Sequence, residues 1–169
     1  MNETATRWPG NTTPPTWAVV ATVDEPAVLI AAFARHHLAI GASEVHLYLD
    51  RPHPDLPPLI DGLQGCFVTQ CDETYWANSD FGKRPAHHIR RQKHNANIAN
   101  KKTECGWLLH CDADEFIRDA DALYDEMTSL ELPTPEGEPH YDGVKIFNCE
   151  RVWCPDVKTD ASLENTWGQ

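Results

Sequence analysis

Positive charge and long apolar runs are both scarce in this chain. Lys and Arg number 14 against 26 Asp and Glu, a formal net charge of −12 over 169 residues. That balance argues against generic binding to nucleic acid or to an anionic membrane surface, since both need surplus cations. No stretch approaches the roughly 18 apolar residues that cross a bilayer. The N-terminus, MNETATRWPGNTTPPTW, lacks the apolar centre of a secretory signal. A cytoplasmic protein without a membrane-spanning segment is the resulting expectation. The six cysteines, at 66, 71, 105, 111, 149 and 154, include no Cys-x-x-Cys pair, so a zinc ribbon has little footing. Without a secretory context for disulfides they read as free, buried thiols. No His-Glu-x-x-His pattern occurs, and there is no internal repeat.

The chain does contain an alternation of apolar runs and helical patterns. Residues 1–16 are polar, rich in Thr, Asn and Pro, and read as a flexible leader. Trp17–Val23 is a β-branched apolar run of the kind buried on both faces of a sheet. Asp24, Glu25 and Pro26 then open a helix, with an acidic start and proline in the first turn. Val28, Leu29, Ala32, Phe33 and His36 define its apolar face, and Gly41 closes it. Val45–Leu49 is a second strand ending at Asp50, followed by the proline-stiffened loop Arg51–Pro58. A short helix near 57–63 leads to a third strand, Cys66–Gln70. Cys71–Lys83 reads as a polar loop carrying Tyr75 and Trp76. A helix over 86–102 precedes a fourth strand from Trp107, with His110 in the core. After Glu115 the pattern Phe116, Ile117, Ala120, Leu123, Met127 and Leu130 predicts another helix with an irregular first turn, and a last strand falls at Val144–Phe147. These elements predict an α/β domain over 17–148 with a mainly parallel, Rossmann-like sheet, and a polar tail over 149–169.

In such sheets ligands collect beyond the carboxyl ends of the strands. That places Asp24 and Glu25, Asp50, and Asp112, Asp114 and Glu115 along one rim. Three carboxylates within four positions of WLLHCDADEFI (107–117) repel one another unless something offsets the charge. On an extended chain Asp112 and Asp114 point to the same side. Together they could bind a hard cation, Mn²⁺ or Mg²⁺, leaving coordination sites for water and phosphate. The plainer alternative is an acidic turn in which Asp114 caps the next helix. An EF-hand fails: Ile117 and Leu123 stand where glycine and the bidentate Glu are needed. Lys83, Arg84, Arg90, Arg91, Lys93, Lys101 and Lys102 supply half the chain's basic residues with no acid between them. They read as a cationic wall facing an anionic ligand, with Arg91 or Lys93 reaching it, or as a solvated helix face. His36 and His37 read as packed or helix-end imidazoles. Asp50 is either a hydrogen-bond acceptor for a base or ribose, or a turn residue.

Three segments together carry a resemblance: ATVDEPAVLIAAFARHHLAIGASEVHLYLD (21–50), RRQKHNANIA (90–99) and WLLHCDADEFI (107–117). They resemble glycosyltransferases of the GT-A fold, especially bacterial family 2-like enzymes, over roughly residues 17–148. The resemblance implies transfer of a sugar from a nucleotide-diphosphate-sugar donor to an acceptor it does not identify. It implies that Thr22, Glu25 and Asp50 line the nucleoside pocket and that Arg91 approaches the base or phosphates. Asp112 would contact ribose and metal, and Asp114 the metal itself. Asp24 departs from the Asn that many members carry, and LDRPHPD replaces the usual polar turn after the second strand. The family's downstream segment supplies acceptor contacts and a general base. Here the chain reads as abbreviated after residue 148, so a nucleotide-binding remnant without catalysis is the alternative. A haloacid dehalogenase-type phosphatase also places Asp-x-Asp after an apolar strand, but Glu115 and Phe116 follow Asp114 here and no later Asp pair with a matching Lys is evident.

Overall fold

The computed structural model describes residues 14–131 together with Gly143 and Ile146. Nine elements follow in order: β1 (Trp17–Val23), α1 (Ala27–Ala39), β2 (Glu44–Leu49), α2 (Pro57–Ile60), β3 (Cys66–Gln70), α3 (Glu73–Ala77), α4 (His88–Lys102), β4 (Trp107–His110) and α5 (Ala120–Glu131). The four strands form one sheet in the order β3-β2-β1-β4, every pair parallel. Parallel neighbours need crossover connections, and the helices supply them. The chain is thus an α/β protein with an all-parallel sheet flanked by helices. The expected last strand at 144–147 lies, apart from Ile146, outside the described residues, as do the expected leader up to residue 13 and the polar tail.

Side-chain alternation along the strands builds two cores. Trp17, Val19, Ala21 and Val23 of β1 join Val45, Leu47 and Leu49 of β2 against Ile30, Phe33 and Ala34 of α1 and Met127 of α5. The intervening residues face the other way, where Val20 and Tyr48 pack with Trp76 of α3 and Ala99 of α4. β1 is therefore covered on both faces, which explains why it is apolar throughout except at Thr22. Each large side chain fully buried there contributes about 2 kcal/mol.

Four expectations need correction. In α1, Val28 is 72 % exposed and Ala32 is also exposed; the buried face is Ile30, Ala31, Phe33, Ala34 and His37. The helix is apolar almost all round, so spacing alone did not select the face that meets the sheet. Its N-cap position is Pro26, leaving no acid in its first turn. His110 ends β4 and is exposed, not core. The Cys71–Lys83 segment is not all loop: Asp72 accepts a hydrogen bond from the Tyr75 amide at 2.8 Å and nucleates α3. That short helix drives Trp76 into complete burial.

Candidate functional site

The strand order sets where a site can form. From β1 the chain proceeds outward through β2 and β3, then crosses back to place β4 on the other side of β1. The crossovers diverge at the carboxyl ends of β1 and β4, the switch point where open parallel sheets bind ligands. A cavity of about 270 Å³ lies at this end of the sheet, lined by Thr22, Asp24, Glu25, Asp50, His88, Arg91, Gln92, Asp112 and Asp114. All six site residues expected from the sequence line it: Thr22, Glu25, Asp50, Arg91, Asp112 and Asp114. Its volume sits at the small end for ligand sites, which run about 300–1,000 Å³.

The floor is a buried polar relay. Asn95, fully buried, donates to the Thr22 hydroxyl at 2.9 Å and accepts from the Tyr75 hydroxyl at 2.6 Å. Burial pushes the Tyr75 hydroxyl and the neighbouring Cys71 thiol upward, the latter to about 12, with Asp50 adding to the effect on Cys71. Cys111, beside the acidic turn, is also raised to about 12, first by burial and then by Glu115, Asp112 and Asp114. Both cysteines are protonated near neutral pH and are poor nucleophiles. The four described cysteines, 66, 71, 105 and 111, are unpaired.

One wall is an ion-pair cluster. Arg91 Nε lies 2.9 Å from Asp50 Oδ1, and Arg91 Nη2 lies 2.7 Å from Oδ2. Arg91 Nη1 donates to the carbonyls of Pro85 and Ala86, and Arg84 adds a second guanidinium to Asp50 Oδ2 at 2.7 Å. Arg91 is thus largely spent within the protein, which corrects the cationic wall. Lys83, Arg84, Arg90, Lys93, Lys101 and Lys102 are exposed and do not line the cavity. Position on the helix explains the split: Arg91, Asn95 and Ala99 form its buried face, and the remaining cations project into solvent. At the rim Asp24 pairs with Arg51 at 3.1 Å, an exposed contact worth little on its own.

The other wall is the acidic turn. β4 ends at His110 and residues 111–117 are irregular chain with a turn at 113–114, so strand alternation is not what brings Asp112 and Asp114 together. Asp112 accepts from Gln92 Nε2 at 2.7 Å, and its amide donates to Glu115 Oε2 at 2.9 Å. The Glu115 amide donates back to the Asp112 carbonyl at 3.1 Å. Glu115 therefore braces the turn and does not line the cavity. Asp114 is exposed and, among the described residues, has no hydrogen-bond or ion-pair partner. Five carboxylates and one already-paired guanidinium thus surround the cavity. Among the described residues no group of three or more His, Cys, Asp or Glu is arranged to hold a metal ion. A closed structural metal site is therefore not formed by them. Two carboxylates at the edge of an open cavity instead fit the sparse protein ligation of Mg²⁺-like ions, which keep waters and phosphates.

Sequence reasoning missed His88 and Gln92 as lining residues and Asn95 as the support of Thr22. A readable signal existed: 88, 91 or 92, and 95 recur at helical spacing, a polar face pointing inward. No protein-family model matches the chain, and comparisons with curated proteins and with solved structures find no match. Among the described residues no helix is long and apolar enough to cross a membrane.

Proposed function

We propose that the chain binds a nucleotide-diphosphate-sugar donor as a GT-A, family 2-like glycosyltransferase, with Mn²⁺ or Mg²⁺ at Asp112 and Asp114. One observation carries the reading: Thr22, Glu25, Asp50, Arg91, Asp112 and Asp114, expected from separate segments, share one cavity at the carboxyl ends of β1, β2 and β4. Charge supports it further. A cavity dominated by carboxylates repels a diphosphate, and Arg91 is already paired with Asp50, so a divalent cation is needed to make anion binding favourable. Bound there, the ion would offset the charge that builds on the departing nucleoside diphosphate. The protein's own part is orientation: Arg91 and Arg84 fix the Asp50 carboxylate, and Asn95 fixes the Thr22 hydroxyl, before any ligand arrives.

Addition of UDP or GDP with Mn²⁺ is expected to raise the melting temperature, and Asp114→Ala to abolish the rise. At a hundred times Kd the stabilisation is about 2.7 kcal/mol, well within detection. Equal shifts in the wild type and the variant would remove the metal from this reading. A second reading is donor binding without transfer, since the described lining residues include those expected for the donor and none is assigned to an acceptor. Release of nucleotide from a sugar nucleotide separates the two: turnover supports the enzyme, and tight binding without release supports the module. Hydrolysis of simple phosphomonoesters would point instead to a phosphatase.

A further inference from the structure

The His36–His37 pair near the end of α1 does not line the cavity, yet it touches the turn that carries two of its acids. His36 Nε2 lies 2.8 Å from the carbonyl oxygen of Ile117, 81 positions away in the chain. A carbonyl can only accept, so Nε2 carries the hydrogen. Phe116, the preceding residue, packs edge-on against His36 with ring centres 5.1 Å apart and stacks on His37 at 6.1 Å. At the middle of the turn Ala113 is completely buried in the main core. The turn is thus pinned from beneath at Ala113, Phe116 and Ile117, which leaves Asp112 and Asp114 on the cavity side. Gln92 steadies Asp112 from across the cavity. Of these restraints, the His36 bond is a long-range tie made by a side chain outside the cavity.

We propose that His36 is a positioning residue, which fixes the turn through Ile117 so that Asp112 and Asp114 are held ready for a divalent cation. The inference rests on the metal reading of those two carboxylates, and it makes a separate claim about the turn itself. Groups hydrogen-bonded directly to metal ligands change metal affinity about 10–100-fold when removed, and His36 acts one step further back, through the Ile117 carbonyl.

The test compares three variants. His36→Phe keeps a ring but has no donor, His36→Asn has a donor too short to reach, and His36→Gln restores a reaching donor. Hydrogen exchange of the Asp112 and Glu115 amides needs no ligand and reports the turn directly. Mn²⁺ titration reports the proposed site. In the Phe and Asn variants the two amides are expected to exchange faster and Mn²⁺ affinity to fall, by up to about tenfold. The Gln variant should recover most of both, and β1 amides should stay protected throughout. If His36→Phe fails to fold, the Asn and Gln variants make the same comparison. Unchanged exchange in the donor-deficient variants overturns the proposal, as does faster exchange with wild-type Mn²⁺ affinity. Faster exchange in a protein whose wild type binds no Mn²⁺ overturns the metal reading instead and supports His36 only as the anchor of the turn.

Discussion

Arg91 and Asp50 show how a residue legible in sequence can take a different part in the fold. Their side chains are only 9 % and 8 % exposed, and two guanidinium nitrogens of Arg91 contact Asp50. Removing Asp50 leaves Arg91 a buried guanidinium with the Pro85 and Ala86 carbonyls as its remaining described partners, whereas removing Arg91 leaves Asp50 still paired with Arg84. Asp50→Asn is expected to destabilise the fold by about 3 kcal/mol in urea denaturation, and Arg91→Met by less. The double variant should cost clearly less than the sum, with a coupling of about 1 kcal/mol or more. Additive losses would show that the two side chains contribute independently. The identities of Asp50 and Arg91 as cavity residues could be read from a strand-end acid and a basic helix. Their mutual neutralisation could not, because it depends on the α4 register that turns Arg91 inward and Lys93 outward.

At the scale of elements, legibility followed strand-forming runs bounded by turn residues, whether the strand is buried like β1 or partly exposed like β3. β1 and β3 have the expected bounds because apolar runs between turn residues leave few alternatives. α3 was missed because five residues are too few for a periodicity, and its start depends on one Asp72 side-chain bond. The acidic turn was foreseen in composition but not in shape, since Glu115 turns back on Asp112. The junction of α1 and β2 can be tested directly. Gly41 has φ +108°, a region L side chains rarely adopt, and a Cβ there would lie 2.5 Å from the Tyr124 hydroxyl oxygen. That hydroxyl accepts from Trp17 Nε1 and donates to the Gly41 carbonyl, each at 3.0 Å, tying α5 to β1 and to the end of α1. Gly41→Ala should therefore lower stability by about 2 kcal/mol through backbone strain and displacement of Tyr124. Tyr124→Phe should cost less in the Gly41→Ala background than in the wild type, because the same bonds are already disturbed. Equal costs in the two backgrounds would show that the added methyl group is accommodated without moving Tyr124.

For the whole molecule, the buried His37 links stability to pH. It is fully buried among Trp17, Phe33, His36 and Phe116, and its Nδ1–H donates to the Phe33 carbonyl at 2.9 Å. Nε2 is buried without a hydrogen-bond partner, so protonating it would bury an unpaired charge. Burial accordingly lowers its pKa from 6.5 to about 4, opposed by the Phe33 bond and assisted by His36. Between those values the unfolded chain binds the proton and the folded chain does not, so this contribution grows as pH rises. It is complete above about pH 6.5 and is lost as pH falls toward 4. A shift of this size corresponds to about 3 kcal/mol across the window. Urea denaturation of the wild type and of His37→Phe at a series of pH values isolates the effect, since contributions from the many carboxylates are common to both. The wild type should lose stability relative to the variant on acidification, mostly between pH 6.5 and about 4. A constant difference would mean that His37 can accept its proton within the fold, and that the Trp17–Phe33–Phe116 packing opens readily enough to hydrate it.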